Sequence, residues 1–155
     1  MDDIFFMNRA IELALIAEKE GNLPVGSLIT LEGKIVAEGG SKVYIPRHDL
    51  TRHAEMEAIR ALPPELWKDP SKLCIYTTLE PCLMCLGAIL LHGIGRVVIG
   101  TGDHYGGADV IRDKLPPFFK ERFKQLEWVT PLMPDECDPL HQRLLDYEEK
   151  YSISE

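Results

Sequence analysis

No apolar stretch in this sequence is long enough to cross a bilayer, no segment is of low complexity, and no fixed period repeats. Membrane-spanning and repeat architectures are set aside on those grounds. A Gly/Ser linker is missing too, and 155 residues with 45% apolar content can bury one good core but are short for two. A single domain over residues 1–155 is expected. Positive charge is scarce: 17 Lys and Arg stand against 25 Asp and Glu, a net charge of −8 that repels phosphate backbones and disfavours nonspecific nucleic-acid binding. Locally, Lys42, Arg47 and Arg52 outnumber Asp49, and Arg112 to Lys124 holds five basic residues against Asp113 and Glu121, so a specific acidic ligand stays open. Met1-Asp2-Asp3 places negative charge where a secretory leader is positive, and a cytoplasmic location is expected. Cysteines number four, and Cys82 and Cys85 are too close for the usual structural staple, so in a reducing compartment that pair reads as metal or redox chemistry.

What is present has the punctuation of an α/β protein. Met7, Ala10, Ile11, Ala14 and Leu15 share one face of a first helix, with Asp2 or Asp3 to cap it and Gly21 to stop it. Val25 to Leu31 and Lys34 to Glu38 are β-rich runs joined through Glu32-Gly33, a hairpin signal, and Gly39-Gly40 ends the hairpin. A second helix is expected to open at His53 and to stop at Pro63-Pro64. Cys74 to Thr77 reads as a buried strand, Pro81 suits the first turn of a helix through Leu83, Leu86, Ile89 and Leu90, and Gly93 ends it. Arg96 to Ile99 is another strand, followed by a Gly-rich loop from Gly100 to Gly107 long enough to overhang a pocket. Glu127 to Val129 is a last short strand, and Asp138 to Lys150 a last helix with Leu140, Leu144, Leu145 and Tyr147 inward. Helices alternating with strands imply an α/β sandwich.

Chemistry concentrates in His53-Ala54-Glu55 and Pro81-Cys82-Leu83-Met84-Cys85, each at a helix start. Cysteines three apart on a helix put both sulfurs on one face, and the helix N-terminus favours both thiolates. With one imidazole they make three ligands for Zn2+, and a tetrahedral ion then keeps a fourth position for a catalytic water. Glu55, two residues beyond His53, need not bind the metal and is placed to carry a proton between that water and a substrate. Coincidence, a thiol redox role and a non-catalytic zinc scaffold are the competing readings, and a carboxylate retained beside the ligands weighs against the scaffold. Cys74 and Cys137 read as structural, His92 as a helix-end cap and His141 as solvent-facing. His48, His104 and Tyr105 lie in loops, and Phe118, Phe119 and Phe123 read as core or subunit contacts in preference to base-stacking rings.

H-x-E followed by P-C-x-x-C is the signature of zinc nucleobase deaminases, and the sequence resembles the cytidine deaminase superfamily. Leu23-Pro24-Val25-Gly26, Arg47-His48-Asp49, His53-Ala54-Glu55, Thr78 to Cys85 and Gly87-Ala88 look most like bacterial tRNA adenosine deaminases, with guanine deaminases close behind. The resemblance implies a three-layer α-β-α sandwich around a five-stranded mixed sheet, a homodimer, and a purine or pyrimidine pocket beside the zinc. It further implies Glu55 as the catalytic residue, and substrate contacts from Val25, Ser41, Ala54, Glu80 and Pro81, with Asp103 and His104 at the pocket mouth. Two positions depart from the tRNA enzymes: Ser41 stands where Asn is usual, and Leu145 to Lys150 is acidic where aromatic and basic residues would face an anticodon stem. The expected substrate is therefore a purine-type base, either adenosine in a tRNA anticodon loop or a small free base or nucleoside, with a subunit of a heteromeric deaminase as the non-catalytic alternative.

Overall fold

In the computed structural model, which describes residues 2–152, five strands form one mixed sheet in the order β2-β1-β3-β4-β5. The chain runs α1 (Asp3–Lys19), β1 (Gly26–Leu31), β2 (Lys34–Gly40), α2 (Ala54–Ala61), β3 (Leu73–Leu79), α3 (Leu83–His92), β4 (Arg96–Thr101), α4 (Pro117–Gln125), β5 (Glu127–Val129) and α5 (Pro134–Ser152). A hairpin through Glu32 and Gly33, both at positive φ, sets β1 antiparallel to β2, and β1 also pairs antiparallel with β3. β3, β4 and β5 are parallel, so each needs a helical crossover, and α3 and α4 supply them.

Because strand side chains alternate between faces, neighbouring residues serve different cores. Leu28, Cys74, Tyr76 and Val98 pack with Phe6, Met7 and Ala10 of α1 and with Met133 and Cys137 at the start of α5. Ile29, Ile75, Val97 and Ile99 face the other way, onto Ala58 and Ile59 of α2, Leu86, Ile89 and Leu90 of α3, and Phe123 of α4. Two cores on one sheet are the three-layer α-β-α sandwich expected from the sequence. Among the described residues no helix is long and apolar enough to cross a membrane.

Several details differ from the sequence pattern. The buried stripe of α1 is Phe6, Met7, Ala10, Ala14 and Ala17, while Leu15 is exposed, because the small residues and not the large one meet the sheet. β2 continues through Gly39 and Gly40. A Cβ on Gly39 would lie 2.5 Å from the Ala54 carbonyl and the Ala58 nitrogen, so its bare backbone lets α2 settle directly on β2 and sets the position of the helix head. Pro81 sits just outside α3, whose N-cap is Cys82. α5 begins four residues earlier than its apolar pattern, at Pro134, and carries Pro139 within it. His141 is not solvent-facing: its side chain is 15% exposed and lies against Asp103.

Candidate active site

The N-caps of α2 and α3 meet at the C-terminal end of the parallel strands. His53 caps α2 and Cys82 caps α3, both in extended backbone, and Cys85 follows one turn into α3. His53 Nδ1 lies 3.5 Å from Cys82 Sγ and 3.5 Å from Cys85 Sγ, and one donor atom from each residue falls within 4.8 Å of the others. A tetrahedral ion with Zn–N of about 2.0–2.1 Å and Zn–S of about 2.3 Å requires N···S separations of about 3.5 Å. The donor set therefore fits zinc in both chemistry and spacing. Hydrogen bonding from Cys85, then from His53, pulls the Cys82 thiol down to about 4 against the opposing effect of burial, so a thiolate is present at neutral pH. Cys85 is pushed up, first by its bond to Cys82 and then by burial, and the Cys82 hydrogen bond raises His53.

Glu55 is 3% exposed, on the first turn of α2. The Thr77 hydroxyl, from the buried face of β3, donates to Glu55 Oε1 at 2.5 Å. In the sequence Thr77, a threonine in an apolar strand, carries no signal beyond β-propensity.

A cavity of about 170 Å³ opens in front of these groups. It is lined by Leu23, Val25, Ser41 and Val43, by Ala54 and Leu79, and by Glu80, Asp103, Tyr105 and Gly106. Leu144 and Glu148 of α5 line it as well. Val25, Ser41, Ala54, Glu80 and Asp103 all line the cavity. Pro81 is not in the lining, its carbonyl accepting from Ala108 N at 3.0 Å, and His104 lines a different groove with Thr101, Asp138 and His141.

The Gly-rich loop is held by Asp103 within it and by Glu80 just after β3. Asp103 Oδ1 accepts from the backbone of Tyr105 at 2.9 Å and Gly106 at 3.0 Å, and Glu80 accepts from Asp109 N at 3.3 Å. A Cβ on Gly107 would overlap the Glu80 carboxylate, so only glycine lets this wall form. Burial above all, then Asp103, raises Glu148 above the ordinary carboxylate range, while His53 and His141 act against that rise. Among the described residues no Lys or Arg lines the cavity, whereas four carboxylates do: Glu55, Glu80, Asp103 and Glu148.

Residues 1–101 match the family model described as the cytidine and deoxycytidylate deaminase zinc-binding region. The chain belongs to this deaminase family. A tRNA-specific adenosine deaminase of Bacillus subtilis (strain 168) is 34% identical over 140 residues, covering 87% of this chain and 83% of that protein. The cytosine deaminase of Candida albicans is 38% identical over 109 residues, 68% of this chain and 71% of its own length. Among solved structures, one from work on A-to-I editing by tRNA:A34 deaminases superposes with a TM-score of 0.73 at 28% identity, covering 88% of this chain and 99% of its own. Guanine deaminase from Bacillus subtilis does so with a TM-score of 0.58 at 34% identity, over 66% of each chain. As a deaminase of this family the chain is an aminohydrolase, and its relatives act on pyrimidine bases, purine bases and tRNA.

Proposed function

We propose that this deaminase is zinc-dependent and hydrolyses the exocyclic amine of a small, uncharged purine-type base. The observation that carries the choice of a free base is the wall contributed by α5. Leu144 and Glu148 line the cavity, whose volume of about 170 Å³ is below the roughly 300–1,000 Å³ of sites for drug-sized ligands, and among the described residues four carboxylates and no Lys or Arg line it. An anticodon loop would bring phosphates to that acidic rim. Lys42, Arg47, Arg52, Arg112, Lys114, Lys120 and Lys124 are all outside the lining.

His53, Cys82 and Cys85 hold one Zn2+ per chain, which when bound polarises water and makes it a competent nucleophile near neutral pH. Water adds through oxygen to the amine-bearing ring carbon, the C–N bond breaks, and ammonia leaves a carbonyl behind. Glu55 takes one proton from the attacking water and delivers it to the ring nitrogen, then takes the second from the hydroxyl so added and delivers it to the departing amine. Thr77 holds one carboxylate oxygen and leaves the other free of that bond. Ala54, at the first position of α2, offers its backbone to the ring, and Glu80, Asp103 and Glu148 accept from N–H groups on the far edge. The exposed Leu83 and Leu91, eight residues apart on α3, with the exposed Phe118 of α4, supply an apolar face for a second copy of the chain.

Ammonia release from guanine, adenine, cytosine, their nucleosides and an anticodon stem-loop tests the reading. Turnover of a free purine that vanishes in Glu55→Gln while zinc stays at one per chain is expected, with a loss of at least about 10²–10⁴ in rate. Turnover of the stem-loop alone would favour the second reading, a tRNA adenosine deaminase, which the 34% identity to the Bacillus subtilis enzyme supports. No release from any substrate by the zinc-loaded protein would sink the enzyme reading for these compounds.

A further inference from the structure

The cavity has a neighbour. A groove of about 590 Å³ is lined by Thr101, Asp138, His141 and Leu145 among others, and the two spaces share Glu80 and Tyr105. Asp103 lines the cavity and His104, the next residue, lines the groove, so residues 102–107 form the partition between them. Backbone bonds tie the segment at both ends: Glu80 N donates to the Thr101 carbonyl at 2.9 Å, and Ala108 N donates to the Pro81 carbonyl at 3.0 Å. Three of the six residues between are glycine, which gives the middle little stiffness of its own. There Tyr105 N and Gly106 N both donate to Asp103 Oδ1, and Gly107 N donates to the Asp103 carbonyl at 3.1 Å, so the turn hangs on one residue.

That residue is met from α5. His141 Nε2 lies 3.2 Å from Asp103 Oδ1, with the two side chains 15% and 10% exposed. The ring nitrogen is shut away from water and makes no aligned hydrogen bond, and the few such groups in folded proteins point to a function. An ionised carboxylate only accepts, so the pairing needs a proton on Nε2. One turn earlier on α5, the Asp138 carboxylate accepts from the Thr101 hydroxyl and fixes the helix against the end of β4. One and two turns later, Leu144 and Glu148 line the cavity. Resting on the free-base reading above, we propose that His141 is a positioning residue for specificity: acting through Asp103, it keeps the partition shut and confines the site to a free base. With the partition shut, the cavity is about 170 Å³. With it displaced, cavity and groove join, and the sugar of a nucleoside is accommodated.

Two variants, each checked for zinc content, test this. His141→Leu removes the ring nitrogen and keeps the bulk, and His141→Gln returns an N–H donor at similar reach. Asp103 Oδ1 keeps its two backbone donors in both, so His141→Leu leaves no carboxylate without a partner and should melt close to the wild type. The amides of Tyr105 and Gly106 should nevertheless exchange with deuterium roughly 10-fold faster, with the sheet and the other helices unchanged. The nucleoside-to-base ratio of kcat/KM, taken from guanosine against guanine and adenosine against adenine, should rise roughly 10-fold or more, chiefly through KM. His141→Gln should return both readouts toward the wild type. Calorimetric binding of guanine and guanosine in a Glu55→Gln background gives the same ratio without turnover. If loop exchange is unmoved, if it rises throughout the chain with a lower melting temperature, or if the ratio stays put, the proposal is wrong even though free-base deamination stands. If the wild type turns over nucleosides as readily as bases, or only the stem-loop, the free-base reading fails and the confinement fails with it.

Discussion

Thr77 shows how little of a functional residue need be visible in its own letter. It is a threonine on a buried strand, yet its hydroxyl is the hydrogen bond at 2.5 Å that restrains Glu55, the carboxylate proposed to move protons. Thr77→Val keeps the shape and removes the bond. It should lower kcat by about 10-fold with little change in KM, and Thr77→Ser should restore most of the loss, whereas a purely structural role would move melting temperature and leave the ratio alone. The cluster of His53, Glu55, Cys82 and Cys85 was legible because the metal and proton-transfer roles proposed for it require particular residue types at particular spacings. Glu148 was not. It sits 66 residues beyond Cys82 on an acidic helix, and nothing in Leu145 to Lys150 says which of its carboxylates turns toward the cavity.

At the scale of elements, the α1 and α5 layer is tied down by ion pairs that the hydrophobic pattern does not reveal. Arg96 of β4 donates to both carboxylate oxygens of Asp3 at 2.8 Å, and the Tyr76 hydroxyl adds a third bond at 2.7 Å, fastening the first turn of α1 to the sheet. The Arg96 hydrogen bonds foremost hold Asp3 below the ordinary carboxylate range, so its contribution is in place above about pH 4 and is lost as pH falls through the lowered folded-state value. Asp3→Asn should therefore cost about 1–2 kcal/mol at pH 7 in chemical denaturation, and the gap to the wild type should narrow on acidification. A gap independent of pH would show that the charge is not what matters. α5 is fastened to α1 by Arg143, whose guanidinium meets Glu18 at 2.8 and 2.9 Å, and to the segment after β2 by ring contact between Tyr147 and Tyr44 at 5.2 Å. Its apolar face was legible from the period of Leu140, Leu144 and Leu145. Its place over the cavity was not, since that depends on where β5 ends and how the chain turns back, and periodicity carries no such long-range information. The same limit explains Leu15: the pattern marks an apolar residue, and only packing decides that Ala14 and Ala17 meet the strands.

The whole molecule carries a net charge of −8, and its cavity shares that sign. A neutral substrate is neither attracted nor repelled, so kcat/KM on a free base should change by less than about 2-fold between 50 and 200 mM salt, where a ligand making 6–10 phosphate contacts loses about 10³–10⁵ in affinity. A steep decline with salt would return a polyanion to consideration. The three proposed metal ligands come from two helix heads separated by 29 residues of chain, and between those heads run all of α2 and β3. An ion gripping both ends acts as a clasp across the core, governed by mass action. At a free zinc concentration about 100 times the dissociation constant it adds about 2.7 kcal/mol, worth roughly 5–10 °C in melting temperature for a chain of this size. Chelation should thus lower the melting temperature along with the activity, and the supply of zinc would regulate how long the protein survives as well as how fast it turns over.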